Sequence, residues 1–439
     1  MGLSQSWVRY LCGVEDRILS YHTHKGQRQM EGPHIIENSS PTKDWRTTLH
    51  SLVVSGQNGE QGSICNPSID SFQVLAILAA VFYHSHFPAD LRQLADGNFF
   101  VLLNSYLVWW VGVPYFFITA GYFFQRSIQA QGNPTAQLRR YVAPLVGLLL
   151  AWLCIYTVTP PEWPAQILHH GLWHPFYTEA LTNIQVLETQ HVWLFLDGTR
   201  PVGPLWFFPA LITGLTILTL VALGNLQRYL AFLALAFYVL ILVEEGTARN
   251  VLNAPLPLGP LLILAIPLVA VGGWLAERGG QFSASVAWSF IVGGYALALL
   301  EGVVIHMVFH GSVKAIDHHV YLGGICLSLG LFLLALAKPQ LGRSTPFPYL
   351  GQLSLGIYVA HVFVMYTITP FVWKLADKVP MWGLFLGIIV YLASVIFVLV
   401  LARIPVIRLL VVKPAWERDN TAIQERETIN KAYQSGTGR

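Results

Sequence analysis

The sequence predicts an all-α, polytopic membrane protein with about ten transmembrane helices and both termini in the cytoplasm. Three observations predict it. Of 439 residues, 54% are hydrophobic and only 11% are charged, with a mean hydropathy of +0.52, whereas soluble domains carry roughly 25% charged residues. Ten apolar stretches, near residues 70–87, 100–124, 141–159, 203–222, 229–244, 258–276, 285–307, 319–337, 349–373 and 381–402, are each long enough to cross a hydrocarbon core. With the N-terminus inside, only Arg92, Arg200, Arg249, Lys314, Lys374 and Lys378 of the 26 Lys and Arg residues fall in outside loops, as the positive-inside rule requires.

The same composition excludes other classes. Net charge is only +3 and the basic residues are spread along the chain, so nucleic-acid binding has no electrostatic footprint. Cys12, Cys65, Cys154 and Cys326 are far apart, without disulfide or metal-ligand spacing, and no metal is expected. The first residues lack a basic end followed by an apolar core, so no cleavable signal peptide is expected.

In chain order, residues 1–68 form a polar cytoplasmic extension. Within it Trp7, Leu11, Val14 and Ile18 recur at the spacing of a helix lying on the membrane surface, although a disordered tail fits as well. Residues 69–410 form the ten-helix domain, and residues 411–439 a polar cytoplasmic tail. The first span carries Asp70 at one end and His84 and His86 at the other. Gln73 lies eleven residues before His84, three turns plus about 20° and a rise of about 16 Å, so both sit on one face at different depths. His84 is thereby a candidate base near the outer surface, with a polar group deeper in; an interfacial histidine in water is the plain alternative.

The second span contains Pro114 and Gly121, where the helix is loosened and another backbone can approach. A basic inside loop is expected next, with Arg126, Arg139 and Arg140 placed to hold a phosphorylated donor or to anchor the topology. The longest outside loop, about 160–202, carries Glu162, Glu179, Glu188 and Asp197 among Trp residues and His169, His170, His174 and His191. It reads either as a sugar-binding surface or as an aromatic belt at the bilayer interface.

Glu301 falls inside the seventh span. An intramembrane carboxylate is costly unless paired, hydrated or protonated, so Glu301 is a candidate partner for a charged His84, or a hydrogen-bond anchor between helices. In the ninth span Ser354, Tyr358 and His361 follow at i, i+4 and i+7 and form one polar stripe. Such a stripe faces the bundle interior or a water-filled cavity.

The span ending in His84, the run Val-Pro-Tyr-Phe-Phe-Ile-Thr-Ala-Gly-Tyr-Phe at 113–123, the Arg139, Arg140 and Pro144 group, Leu205-Trp206-Phe207-Phe208, and Gly-Gln-Leu-Ser-Leu-Gly-Ile-Tyr-Val-Ala-His at 351–361 resemble the membrane acyltransferase-3 family. In motif form they look closest to the branch with the membrane domains of vancomycin-resistance serine racemases. The resemblance implies a multi-pass enzyme of the plasma (inner) membrane. It would move an acyl group, usually acetyl, from cytoplasmic acetyl-CoA or another acyl-CoA to a hydroxyl of an extracytoplasmic glycan, lipid-linked sugar or other envelope molecule. His84 matches the family's first-span histidine, a base or transient acyl carrier. Arg139 and Arg140 match basic residues that help hold the CoA phosphates, and His361 matches the histidine closing the ninth-span motif. Gln73, Arg139, Arg140, Tyr358 and His361 are the expected substrate-binding residues, with His84 and Glu301 catalytic.

Gln73 departs from the family pattern, which has arginine there. Glutamine can hydrogen-bond a thioester carbonyl but brings neither charge nor a bidentate fork. A working transferase with another cation, a transporter or flippase, and a silent sensor of the same family therefore all remain open. If position 73 faces the donor, Gln73→Arg should lower the Michaelis constant for acyl-CoA in membrane assays; an unchanged constant would remove position 73 from the donor site.

Overall fold

The structure, a computed structural model, describes residues 66–85, 99–189, 202–245, 260–279, 282–308, 322–372, 375, 378–379 and 382–404. The expected surface helix around Trp7, together with His86, His191 and Asp197, lies outside the described residues. Those described form helices and turns, with no strand among them. In chain order the helices are α1 (Pro67–His84), α2 (Phe99–Gln131), α3 (Pro134–Val158), α4 (Trp163–His170), α5 (His174–Thr189), α6 (Phe207–Leu223), α7 (Leu230–Glu245), α8 (Pro260–Arg278), α9 (Ala284–Val308), α10 (Leu322–Ala337), α11 (Phe347–Gly351), α12 (Ser354–Val372) and α13 (Trp382–Leu401). Among the described residues, five helical runs are long and apolar enough to cross a membrane: Pro134–His170, Gly203–Leu223, Ala284–Val304, Ser354–Val372 and Trp382–Leu401. They expose large apolar side chains, such as Leu150, Leu300 and Ile396, where a soluble fold would present charge.

α1 packs in the interior against α2, α10, α11, α12 and α13. Asn66 starts it: its side-chain oxygen accepts from the backbone N–H groups of Ser68 and Ile69, both at 3.2 Å, and Pro67 occupies the first turn. The Asn66 amide also donates to the carbonyl of Ala335 at 3.2 Å, fixing the cap to the end of α10. At the other end the Ser85 hydroxyl donates to the carbonyl of Gly383 at 3.0 Å, tying α1 to α13.

Two sequence expectations change. The predicted basic loop after the second span is mostly helix. α2 continues through the helix-forming run Gln125 to Gln131, so Arg126 lies on α2, while Arg139 and Arg140 lie on α3. Only Gly132, at φ +70°, and Asn133 separate the two helices. Gly132 takes the left-handed conformation that ends a helix cheaply, and the Asn133 side chain caps the next by accepting from the N–H of Ala136 at 3.1 Å. The apolar segment at 349–373 is likewise not one helix, because the turn at Gln352 and Leu353 separates α11 from α12.

Glycines set the closest crossings. A Cβ on Gly121 would lie 2.1 Å from the carbonyl oxygen of Val269, and one on Gly272 would lie 2.1 Å from that of Ile118, so α2 and α8 meet backbone to backbone. This is the close approach expected at Gly121. Gly121→Ala should therefore lower the melting temperature in detergent by the equivalent of about 2 kcal/mol or more. Gly147→Ala, where a Cβ meets nothing within 4 Å, should be neutral or slightly stabilising; equal melting of the two variants would remove the seam.

Candidate active site

α1 and α12 run in the same direction along the interior. A Cβ on Gly351 would strike the carbonyl of Asp70, Gln73 and Ser354 line one cavity, and farther along the His84 and His361 rings meet at a centroid distance of 5.3 Å. The expected shared face of Gln73 and His84 is thus the face α1 turns toward α12. The ninth-span stripe is present on α12, with Ser354, Tyr358 and His361 all buried.

His361 is held in one tautomer. Its Nδ1 lies 2.6 Å from the carbonyl oxygen of Tyr358. A carbonyl can only accept, so Nδ1 carries the proton and Nε2 of the neutral ring keeps its lone pair. That Nε2 is buried without a hydrogen-bond partner. Tyr358 is fixed in turn: its hydroxyl donates to the carbonyl of Pro204 at 2.7 Å, and its ring lies 5.0 Å from that of Phe207. Pro204 belongs to the 3-10 turn Gly203–Trp206 that leads into α6. The Leu205 to Phe208 run thus packs the wall behind the histidines, with Phe207 also stacked on Phe117 of α2 at 4.9 Å.

A further tyrosine, unsuspected from the sequence, shapes α12 around His361. The Tyr156 hydroxyl donates to the carbonyl of Val359 at 2.7 Å and accepts from the N–H of Phe363 at 3.0 Å. It therefore bridges the two groups that an uninterrupted helix pairs with each other, the usual way a side chain opens a helical ladder.

Beside this line of polar groups is a cavity of about 60 Å³, room for a narrow chain or about four waters. Its walls are apolar, with Phe116, Phe123, Leu145, Phe207 and Leu211 among them, and its polar groups are Gln73, Thr119, Ser354 and Tyr358. Two of these end in buried atoms without a partner, Gln73 Oε1 and Ser354 Oγ. The Thr119 hydroxyl is satisfied by the carbonyl of Tyr115 at 2.8 Å.

The remaining candidates lie elsewhere. Arg126 is three residues beyond Phe123 on α2, and Arg140 five residues before Leu145 on α3. They stand about 4.5 and 7.5 Å along their helix axes from wall residues of the cavity. Arg139 is exposed and Arg140 half-buried. Glu301 is on α9, which packs on α10 and α2, and its electrostatic neighbour is Tyr238 of α7, itself close to Cys326 of α10. The ring that meets His84 is that of His361. Sequence reasoning could not place Glu301, because periodicity gives the face of a helix and not its neighbours. Among the described residues no group of three or more His, Cys, Asp or Glu side chains is set to hold a metal.

Tyr358→Phe should cost about 1–3 kcal/mol by leaving the Pro204 carbonyl unpaired, read as a lower melting temperature with the Phe207 packing intact. Unchanged melting would mean the bond does not hold the turn.

A model of the acyltransferase-3 family, described as an acyltransferase domain, matches residues 66–403. No curated protein and no solved structure matches the chain.

Proposed function

The chain belongs to the acyltransferase-3 family, and on that premise we propose that it is a working membrane transferase that delivers an acyl group, acetyl by preference, from cytoplasmic acyl-CoA to a hydroxyl of an extracytoplasmic carbohydrate or other envelope acceptor. In this reading the five long runs are joined by α1, α2, α7, α8 and α10, and the ten segments α1 to α3, α6 to α10, α12 and α13 cross the plasma (inner) membrane with both termini inside.

The observation that carries the proposal is the contact of His84 with His361 at the head of the polar line. The two imidazoles lie side by side, a backbone carbonyl fixes the tautomer of His361, and its buried Nε2 keeps a lone pair beside His84. In the transfer step the acceptor oxygen attacks the thioester carbonyl carbon while His84 takes its proton. The carbon–sulfur bond breaks, and the proton returns to the leaving thiolate, giving an ester and free CoA. A neutral imidazole can take a proton and give it back within one cycle, as this step requires. His84 meets His361, while Glu301, first expected to steady the charged form of His84, lies near Tyr238 of α7.

In this reading part of the donor's pantetheine arm enters at the cavity. Its walls are apolar, and Gln73 Oε1 and Ser354 Oγ are buried acceptors without partners, which the arm's amide N–H groups would satisfy. Arg126, Arg139 and Arg140 at the inside end would take the CoA phosphates as charge-assisted pairs.

Membranes carrying the protein should transfer radiolabel from acetyl-CoA to cell-envelope material in a form released by mild alkali. His84→Ala should reduce that label about 100-fold or more at equal protein in the membrane. Undiminished label in the variant would sink the assignment of His84; no protein-dependent label from any acyl-CoA would sink the transferase.

A further inference from the structure

The helical hairpin between α3 and α6 is not part of the polar line. α5 has three distinct sides when its residues are placed at about 100° intervals. One side faces the protein, with Pro175 and Asn183 buried and Phe176 against Trp163. The second is exposed and polar: His174, Thr178, Thr182, Gln185 and Thr189. The third is exposed and apolar: Trp173, Tyr177, Leu181, Ile184 and Leu187, within about 120° of arc. Trp173 is 78% exposed and Tyr177 is 65% exposed, and only Glu188, in the last turn, interrupts the strip.

We propose that this apolar side is seated in the lipid interface of the outer leaflet, so that the α4–α5 hairpin lies along the membrane surface while its polar side faces water. A helix with adjacent apolar and polar sides is built for that boundary, and a third side packed on the protein fixes its rotation there. α3, to which the hairpin is joined, also exposes apolar side chains, Val146, Leu150 and Val158. Residues 159–162 join α3 to α4, a reach of at most about 14 Å, and the Asn183 amide donates to the carbonyl of Thr157 at 3.0 Å, so α5 stays beside the end of α3. Leu168 and Leu172 add exposed apolar area on the connecting side.

The seat is coupled to the candidate active site. The Trp163 indole N–H donates to the Thr367 hydroxyl at 3.1 Å, and its ring stacks on Phe363 at 6.2 Å. Phe363 is two residues beyond His361 on α12. The outer half of that helix is therefore braced by an element resting on lipid. The proposal depends on the spanning arrangement above and not on acyl transfer.

The test places single cysteines at Tyr177, Ile184, Thr178, Thr182 and Ile396 in the full chain, with the four native cysteines replaced by alanine. Each is labelled with an environment-sensitive fluorophore and reconstituted into phosphatidylcholine vesicles containing spin-labelled lipid. Positions 177 and 184 should be quenched by shallow spin labels at least twofold more than positions 178 and 182. Position 396, lipid-facing on α13, should be quenched by deep labels. Quenching at 396 with no difference between the two sides of α5 would overturn the lipid seat alone. Apolar-side emission that is blue-shifted yet unquenched would assign that side to a protein neighbour, such as a second copy, and overturn it too. Loss of quenching at 396 as well would remove the spanning arrangement together with the seat.

Discussion

Hydrocarbon cannot solvate an imidazole, a hydroxyl or a peptide carbonyl, so every polar group inside this bundle has to be answered by another part of the chain. Most of the interior is organised by that requirement. Threonine and serine hydroxyls are returned to the preceding turn of their own helices, as at Thr119, Thr157, Thr219 and Thr369. Longer groups reach across: Tyr115 to Ile69, Tyr358 to Pro204, Tyr156 into α12. Against this background the unanswered atoms stand out, and Gln73 Oε1, Ser354 Oγ and His361 Nε2 are among them. All three lie along the α1–α12 boundary, where an incoming substrate would supply what the chain does not.

The direction of α1 and α12 turns these separate groups into a path. Because the two helices are parallel, the Gln73 level of one meets the Ser354 level of the other, and the His84 level meets His361. An antiparallel pair would have set His84 beside the start of α12 and left His361 next to the polar groups near Asp70. The parallel arrangement separates the groups by depth, with Gln73 and Ser354 at one end and the two imidazoles at the other.

Much of this was legible in the sequence, and the remainder has a physical reason for being hidden. Helical spacing placed Gln73 with His84 on one face and Ser354, Tyr358 and His361 on another, because burial in a helix leaves a period. The close approach at Gly121 followed from the missing side chain. Which faces meet is a different kind of information, since it depends on packing between distant segments, and so the contact of His84 with His361 in place of Glu301 came only with the structure. Tyr156 gave no signal, because a tyrosine in an apolar segment looks like any other core aromatic until its hydroxyl finds a carbonyl. The extent of α2 to Gln131 was misjudged because a polar run was read as loop, although Gln, Arg and Ala are good helix formers and the helix ends only where Gly132 allows it.

The glycine seam between α2 and α8 also bears on how this protein can change over generations. A larger residue at Gly387 or Gly214 would collide first with the side chains of Phe82 or Val269, and a second substitution that trims the neighbour could restore the fit. At Gly121 and Gly272 the obstacle is the opposing backbone itself, which no mutation removes. Suppressor lineages are therefore open at the first pair of positions and closed at the second. The distance between α2 and α8 is a quantity that substitution alone cannot renegotiate, whereas the aromatic wall behind the histidines can be rebuilt one side chain at a time.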